Sequence, residues 1–95
     1  MLNPARLHLL MSPEAVADLA GQLNAQDRIV LLDRGVELLL HGETVKDFLA
    51  VTHAVYCSGS DRAARGLPLA AGTVEIDDAQ LIKLVEECRQ VLSWG

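Results

Sequence analysis

Ile29-Val30-Leu31-Leu32, closed by Asp33-Arg34-Gly35, is the most strand-like run in the chain. It is short, apolar throughout and β-branched at its start. A strand with one wet face alternates polar and apolar residues. A strand without alternation is covered on both faces, as at the centre of a parallel sheet. This strand is therefore expected to be central and almost fully buried, with Asp33-Arg34-Gly35 as its turn.

The sequence on either side repeats the same logic. Upstream, Leu7 to Met11 is an apolar run broken only by His8, a second candidate buried strand. Ser12-Pro13-Glu14 follows it. Serine suits an N-cap, proline the first helical position and an acid the first turn. Ala15, Val16, Leu19, Ala20 and Leu23 then recur at helical spacing, with Asn24 as the expected end. Downstream, Val36 to Leu40 reads as a short helix stopped by Gly42. Thr44 to Val51 is compatible with another turn or two. Ala54-Val55-Tyr56-Cys57 is a third strand, and Ser58-Gly59-Ser60-Asp61 a turn leading to a helix from Asp61 to Arg65, stopped by Gly66 and Pro68. Thr73 to Ile76 is a fourth strand. Asp77-Asp78-Ala79-Gln80 has the form of a capping box. Leu81, Ile82, Leu84, Val85 and Cys88 supply that helix's apolar face, and Val91 to Trp94 is a short last strand. Strands alternating with helices give the α/β class: a small three-layer domain with a mostly parallel sheet of four or five strands.

Size and composition narrow the function. Ninety-five residues make one domain, spanning 1–95. A chain this short buries only about 60–65% of the surface that its unfolded form exposes. Hydrophobic residues are 51% of the chain and aromatics only 3%. So many aliphatics on so little volume predict an apolar face for another subunit, with Val36, Leu39, Leu40 and Phe48 as candidates, or self-association in isolation. The net charge is −5, and Lys and Arg are scattered. Direct nucleic-acid binding is not expected, because phosphate backbones need clustered cations. Two cysteines make no disulfide framework, and no zinc-ligand spacing is present. No signal peptide and no apolar run of roughly 20 residues is evident. A cytoplasmic protein with no membrane contact is expected, without metal or cofactor. There is no Gly-x-Gly-x-x-Gly, no Walker lysine loop and no Gly-x-Ser-x-Gly elbow.

Four stretches together resemble the DsrH/TusB family of DsrE-like sulfur-relay proteins. They are Asp27 to Val36; Val55-Tyr56 followed by Asp61 to Leu67; Val74 to Asp77; and the ending Val91-Leu92-Ser93-Trp94. The resemblance runs from about Leu7 to Trp94, and Met1 to Ala5 looks like an N-terminal extension. It implies the smallest subunit of a heterohexamer of three related DsrE-like chains, two copies each. That assembly passes persulfide sulfur between cysteines, in many bacteria towards 2-thiolation of the tRNA wobble uridine. A sister assembly works in sulfur oxidation. The resemblance assigns sulfur carriage to a different subunit, so this chain is read as auxiliary and no catalytic residue is assigned. Two other readings are a thiol carrier in its own right and a generic homodimeric α/β interaction domain.

Cys57 is the candidate persulfide thiol. It stands at the expected carboxyl end of a strand, just before a helix start, where open α/β sheets place functional groups. A thiol at a helix N-terminus is driven towards thiolate, and Ser58-Gly59-Ser60 can offer it N–H groups. Against this, a free cysteine ending a strand is commonly plain core. Cys57-x-x-x-x-Arg62 also has the outline of a rhodanese loop, but Asp61 puts a negative charge inside it. Cys88 lies on an apolar helical stripe and reads as packing. His8, His41 and His53 have no acid or cysteine at a telling spacing and read as structural or surface. Asp33, Arg34 and Gly35 can contact a ligand or a neighbouring subunit, or form a solvated turn.

Overall fold

The computed structural model describes residues 5–52 and 54–95. Five strands form a single all-parallel sheet: β1 (Arg6–Leu10), β2 (Arg28–Leu31), β3 (Val55–Ser58), β4 (Val74–Ile76) and β5 (Gln90–Trp94), in the spatial order β4-β3-β2-β1-β5. The expected α/β class holds, and the sheet is parallel throughout. β2 is the middle strand, and Ile29, Val30 and Leu31 are fully buried. The register sets Ile29 between His8 of β1 and Val55 of β3.

Topology explains how the helices are shared out. The chain steps from β1 to β2 to β3 to β4 in one direction, then returns across the sheet to place β5 beside β1. Right-handed crossovers that travel in opposite directions land on opposite faces. One face carries α1 (Val16–Ala20), a 3₁₀ coil (Asp33–Leu40) and α2 (Gly42–Val51), packed with Leu10, Ile29, Leu31, Val55 and Cys57. The other face carries α4 (Asp78–Glu87), packed with Leu7, Val30 and Ile76 through Leu84 and Cys88. The short α3 (Gly59–Ala64) buries none of its residues.

Several local expectations hold at the atomic level. Ser12 caps the Pro13–Ala15 3₁₀ turn that leads into α1, accepting the Glu14 N–H. Asp77 caps α4 as a complete capping box: its carboxylate accepts the Gln80 N–H at 2.8 Å and the Gln80 side chain accepts the Asp77 N–H at 2.9 Å. Gly35 is required by close approach, since a Cβ there would sit on the Leu10 carbonyl oxygen.

Other expectations need correction. α1 stops at Ala20, short of Asn24, because the Asn24 N–H goes to the Asp27 carboxylate instead of extending the helix. Val36 to Leu40 is 3₁₀ coil, and Gly42 opens α2 rather than stopping the coil. His41 makes the break with non-helical backbone, and its carbonyl accepts the Thr44 and Val45 N–H groups of α2. α3 begins at Gly59, two residues before Asp61. Val36, Leu39 and Phe48 are buried in the core, so of the four expected interface residues only Leu40 is exposed. On α4, Leu84 and Cys88 are buried, whereas Ile82 and Val85 face outwards. Of the expected extension, residues 1–4 lie outside the described residues. Ala5 accepts the Arg89 N–H at 3.1 Å.

Candidate functional site

The carboxyl ends of β1 to β4 meet at one edge of the sheet, where Cys57 was expected to stand at a helix mouth. Strand alternation decides otherwise. β3 runs one residue further than Cys57, so Ser58 occupies the junction and caps α3, its hydroxyl accepting the Asp61 N–H at 3.3 Å. Successive strand residues point to opposite faces. The Cys57 side chain is therefore turned into the cluster of Leu31, Val36, Leu39 and Phe48, with no solvent exposure. Burial pushes its thiol above the ordinary value. Glu75 adds to this, and Arg62 opposes it without reversing it. The Ser58 and Ser60 hydroxyls lie 3.3 Å from each other.

The charged groups around this edge form closed pairs. Arg62 reaches both Glu75 oxygens at 3.1 and 3.2 Å and donates to the Leu67 carbonyl at 2.7 Å, which draws its guanidinium to β4 and the loop after α3. Asp61 accepts the Asp33 N–H at 2.6 Å, and Arg65 approaches the Asp33 carboxylate at 3.3 Å. Asp33 has φ +52, a left-handed conformation that aspartate tolerates better than most side chains. Arg34 pairs with Glu14 at 3.0 Å, and that pairing holds the exposed Glu14 carboxyl below its ordinary value. Asp33-Arg34-Gly35 is thus a turn closed within the chain. At the end of β4 lies a hollow of about 460 Å³ lined by Gly59, Ser60, Glu75, Asp77 and Asp78; Arg62 balances Glu75, and the two aspartates leave the hollow acidic, which disfavours an anionic sulfur group.

A second polar cluster lies inside the molecule, spanning β5, β1 and the segment that enters β2, and joins residues far apart in sequence. Trp94 Nε1–H donates to His8 Nδ1 at 3.0 Å. Indole nitrogen can only donate, so Nδ1 is the acceptor and the His8 proton sits on Nε2. That nitrogen donates to Asp27 Oδ2 at 2.7 Å. Arg6 grips the same carboxylate with Nη2 at 2.8 Å and Nε at 3.3 Å, and also donates to the Gln22 carbonyl. His8 and Asp27 are both buried. Burial raises the Asp27 pKa, but hydrogen bonds from Arg6, His8 and the Asn24 backbone outweigh it and hold the carboxyl below its ordinary value.

His8 is thus structural, as expected, but its acid partner was missed. The available signal was a lone polar residue in an otherwise apolar strand, since a buried polar group needs a partner. Cys88 is core, and burial raises its pKa too. His41 is exposed, and His53 lies outside the described residues. Among the described residues no three His, Cys, Asp or Glu side chains are grouped to hold a metal ion, and no helix is long and apolar enough to cross a membrane.

A search of curated proteins finds no match. The profile of the family described as DsrH like protein matches residues 11–91, which include β2, β3 and β4 entire and the start of β5. That match covers most of the chain and agrees with the sequence resemblance. The chain belongs to the DsrH-like family, whose members are sulfur-relay subunits.

Proposed function

We propose that this chain is an auxiliary subunit of a cytoplasmic sulfur-relay complex, one that helps to pass persulfide sulfur towards 2-thiolation of the tRNA wobble uridine without carrying sulfur itself. The observation that supports the auxiliary role is the state of its thiols. The sequence holds two cysteines, and both are buried with raised pKa values. A persulfide carrier needs a reachable thiolate. The Ser58 cap, the Arg62–Glu75 pair and the acidic hollow favour neither access nor an anionic sulfur. The destination on tRNA rests on the family resemblance, and the net charge of −5 leaves contact with the RNA to another chain.

Replacing Cys57 with Ser in the assembled complex and following sulfur transfer tests the role. Near-normal transfer is expected. A collapse of transfer with assembly intact would make this chain a carrier. Deleting the gene and measuring thiolated wobble uridine tests the destination. Loss of the modified base is expected, whereas unchanged base with impaired sulfur oxidation would place the chain in the sister complex.

A further inference from the structure

The two faces of the sheet are unequally covered. α1, the 3₁₀ coil and α2 share one face, while α4 alone lies over the cluster on the other. On one flank of α4, Gln80, Lys83 and Glu87 border a cleft with Tyr56 and Val74 of β3 and β4. At ~100° of rotation per residue, Val85 projects from the opposite flank, and Ile82 from the outer surface of the helix, where it borders a shallow hollow with Ala79, Lys83 and Glu86. Ile82 is 60% exposed and Val85 39% exposed. Val91 of β5 pairs in register with Leu7, which belongs to the α4 cluster. It therefore stands on the same face, and it is 38% exposed. Single exposed aliphatics are ordinary, but here one helix and the edge strand bring three large ones to the same face of a small domain.

Charge selects what can cover this face. Asp78, Ile82 and Glu86 form an i, i+4, i+8 row on α4, so Ile82 has a carboxylate on either side along the helix, with Lys83 as the one cation bordering the same hollow. Neither carboxylate makes an ion pair among the described residues, whereas Glu87 on the other flank is taken by Arg28 at 2.9 Å. Arg89, beyond the helix, borders a separate depression with Arg6. A second copy of this chain docked here by a two-fold axis would set two acidic rows against each other in a partly desolvated contact, which is unfavourable. A different chain with an apolar centre and a Lys/Arg rim would be attracted by the same row.

We propose that the α4–β5 corner, centred on Ile82, Val85 and Val91, is the docking surface for a related sulfur-relay subunit that presents an apolar patch rimmed by basic residues. The proposal rests on the reading of this chain as a relay subunit and assigns the surface that reading requires.

The test co-expresses the full chain with the other sulfur-relay subunits of its source organism and measures co-purification. An Ile82→Lys/Val85→Lys variant is expected to stay folded by circular dichroism and to lose assembly at least tenfold, while Leu40→Lys, away from the corner, assembles normally. An Asp78→Lys/Glu86→Lys variant changes only exposed helix positions and guards against misfolding of the first. It is expected to weaken assembly most at low salt. Undiminished assembly of both double variants, with wild type assembling, overturns the surface while leaving the subunit reading intact. Failure of the wild type to assemble with any relay subunit overturns both. A homodimer in native mass spectrometry that the Ile82/Val85 variant converts to monomer shows the occupant to be a second copy, and overturns the proposed partner.

Discussion

The β1–β5 half and the β3–β4 half of the sheet handle polar residues in opposite ways. Across β5, β1 and the entry to β2, Arg6, Asp27, His8 and Trp94 form one hydrogen-bonded chain whose middle members are buried. Around β3 and β4, Arg62–Glu75 and Arg65–Asp33 lie on the rim, and the strand interior holds Val55 and Cys57. The difference separates stability from chemistry. A desolvated network is costly to leave half-made, so it fixes one packing of the edge strand β5 against β1. Rim pairs contribute little energy and can be rearranged by a partner. The half with the candidate thiol is thus the half where charge is cheap to move, but the thiol itself is in the core.

The largest expected effect breaks the buried network at its hub. Asp27→Ala leaves His8 Nε2–H without its acceptor and the Arg6 guanidinium with only the Gln22 carbonyl, and should destabilise the chain by about 3 kcal/mol in urea unfolding. For a 95-residue domain whose whole stability is of order 5–15 kcal/mol, that is a large share. Asp27→Asn, which keeps an oxygen for His8, should lose less. A loss below about 1 kcal/mol for Asp27→Ala would show that the two halves do not differ as described.

Acid sharpens the same contrast. The folded-state pKa of Asp27 is depressed, so the stability it contributes is fully present above the unfolded carboxylate value and is lost as pH falls through the lower folded value. Unfolding free energy should decline as pH drops below the ordinary carboxylate range, and Asp27→Asn should flatten that decline. An equal slope in both proteins would assign acid sensitivity to the rim carboxylates instead.

Trp94→Phe tests the outer end of the chain. It keeps most of the ring volume and removes the donor to His8 Nδ1, for an expected loss of about 1 kcal/mol. Because Trp94 is the only tryptophan, its emission in the parent protein reports this contact directly. Asp27→Asn should shift that emission, and Arg65→Ala should not.

How much of this could be read from sequence depends on the range of each interaction. The Ile29–Leu31 strand, the Ser12 cap and the Asp77 capping box were legible because periodicity and caps are local. The error over Gly42 was also local: glycine fits both a helix end and a helix start, and backbone geometry at His41 made the choice. Ile82 and Val85 were placed in the core because apolar residues on a helix default to it. The return of the chain across the sheet leaves that face to one helix, which cannot cover it. Asp27, His8 and Trp94 are separated by 19 and 86 residues along the chain, so only the β5-β1-β2 order brings them together. At Cys57 the reading turned on a single residue. Ending β3 at Cys57 gives a thiol at a helix mouth, whereas ending it at Ser58 gives a buried thiol and a serine cap.

The smallest expected effect lies on the rim. Arg65 meets Asp33 through one contact at 3.3 Å, and both side chains are partly open to water. Coulomb attraction there is screened, and holding two flexible side chains together costs entropy, so Arg65→Ala should change stability by no more than about 0.5 kcal/mol. The turn should survive, because the Asp33 N–H is held by the Asp61 carboxylate rather than by Arg65. High salt should erase even this difference in urea unfolding. A loss beyond about 1.5 kcal/mol, persisting in salt, would mean that Arg65, Asp33 and Asp61 act as one coupled network. The carboxyl edge would then be as rigid as the buried chain across the sheet, and less free to rearrange for a partner.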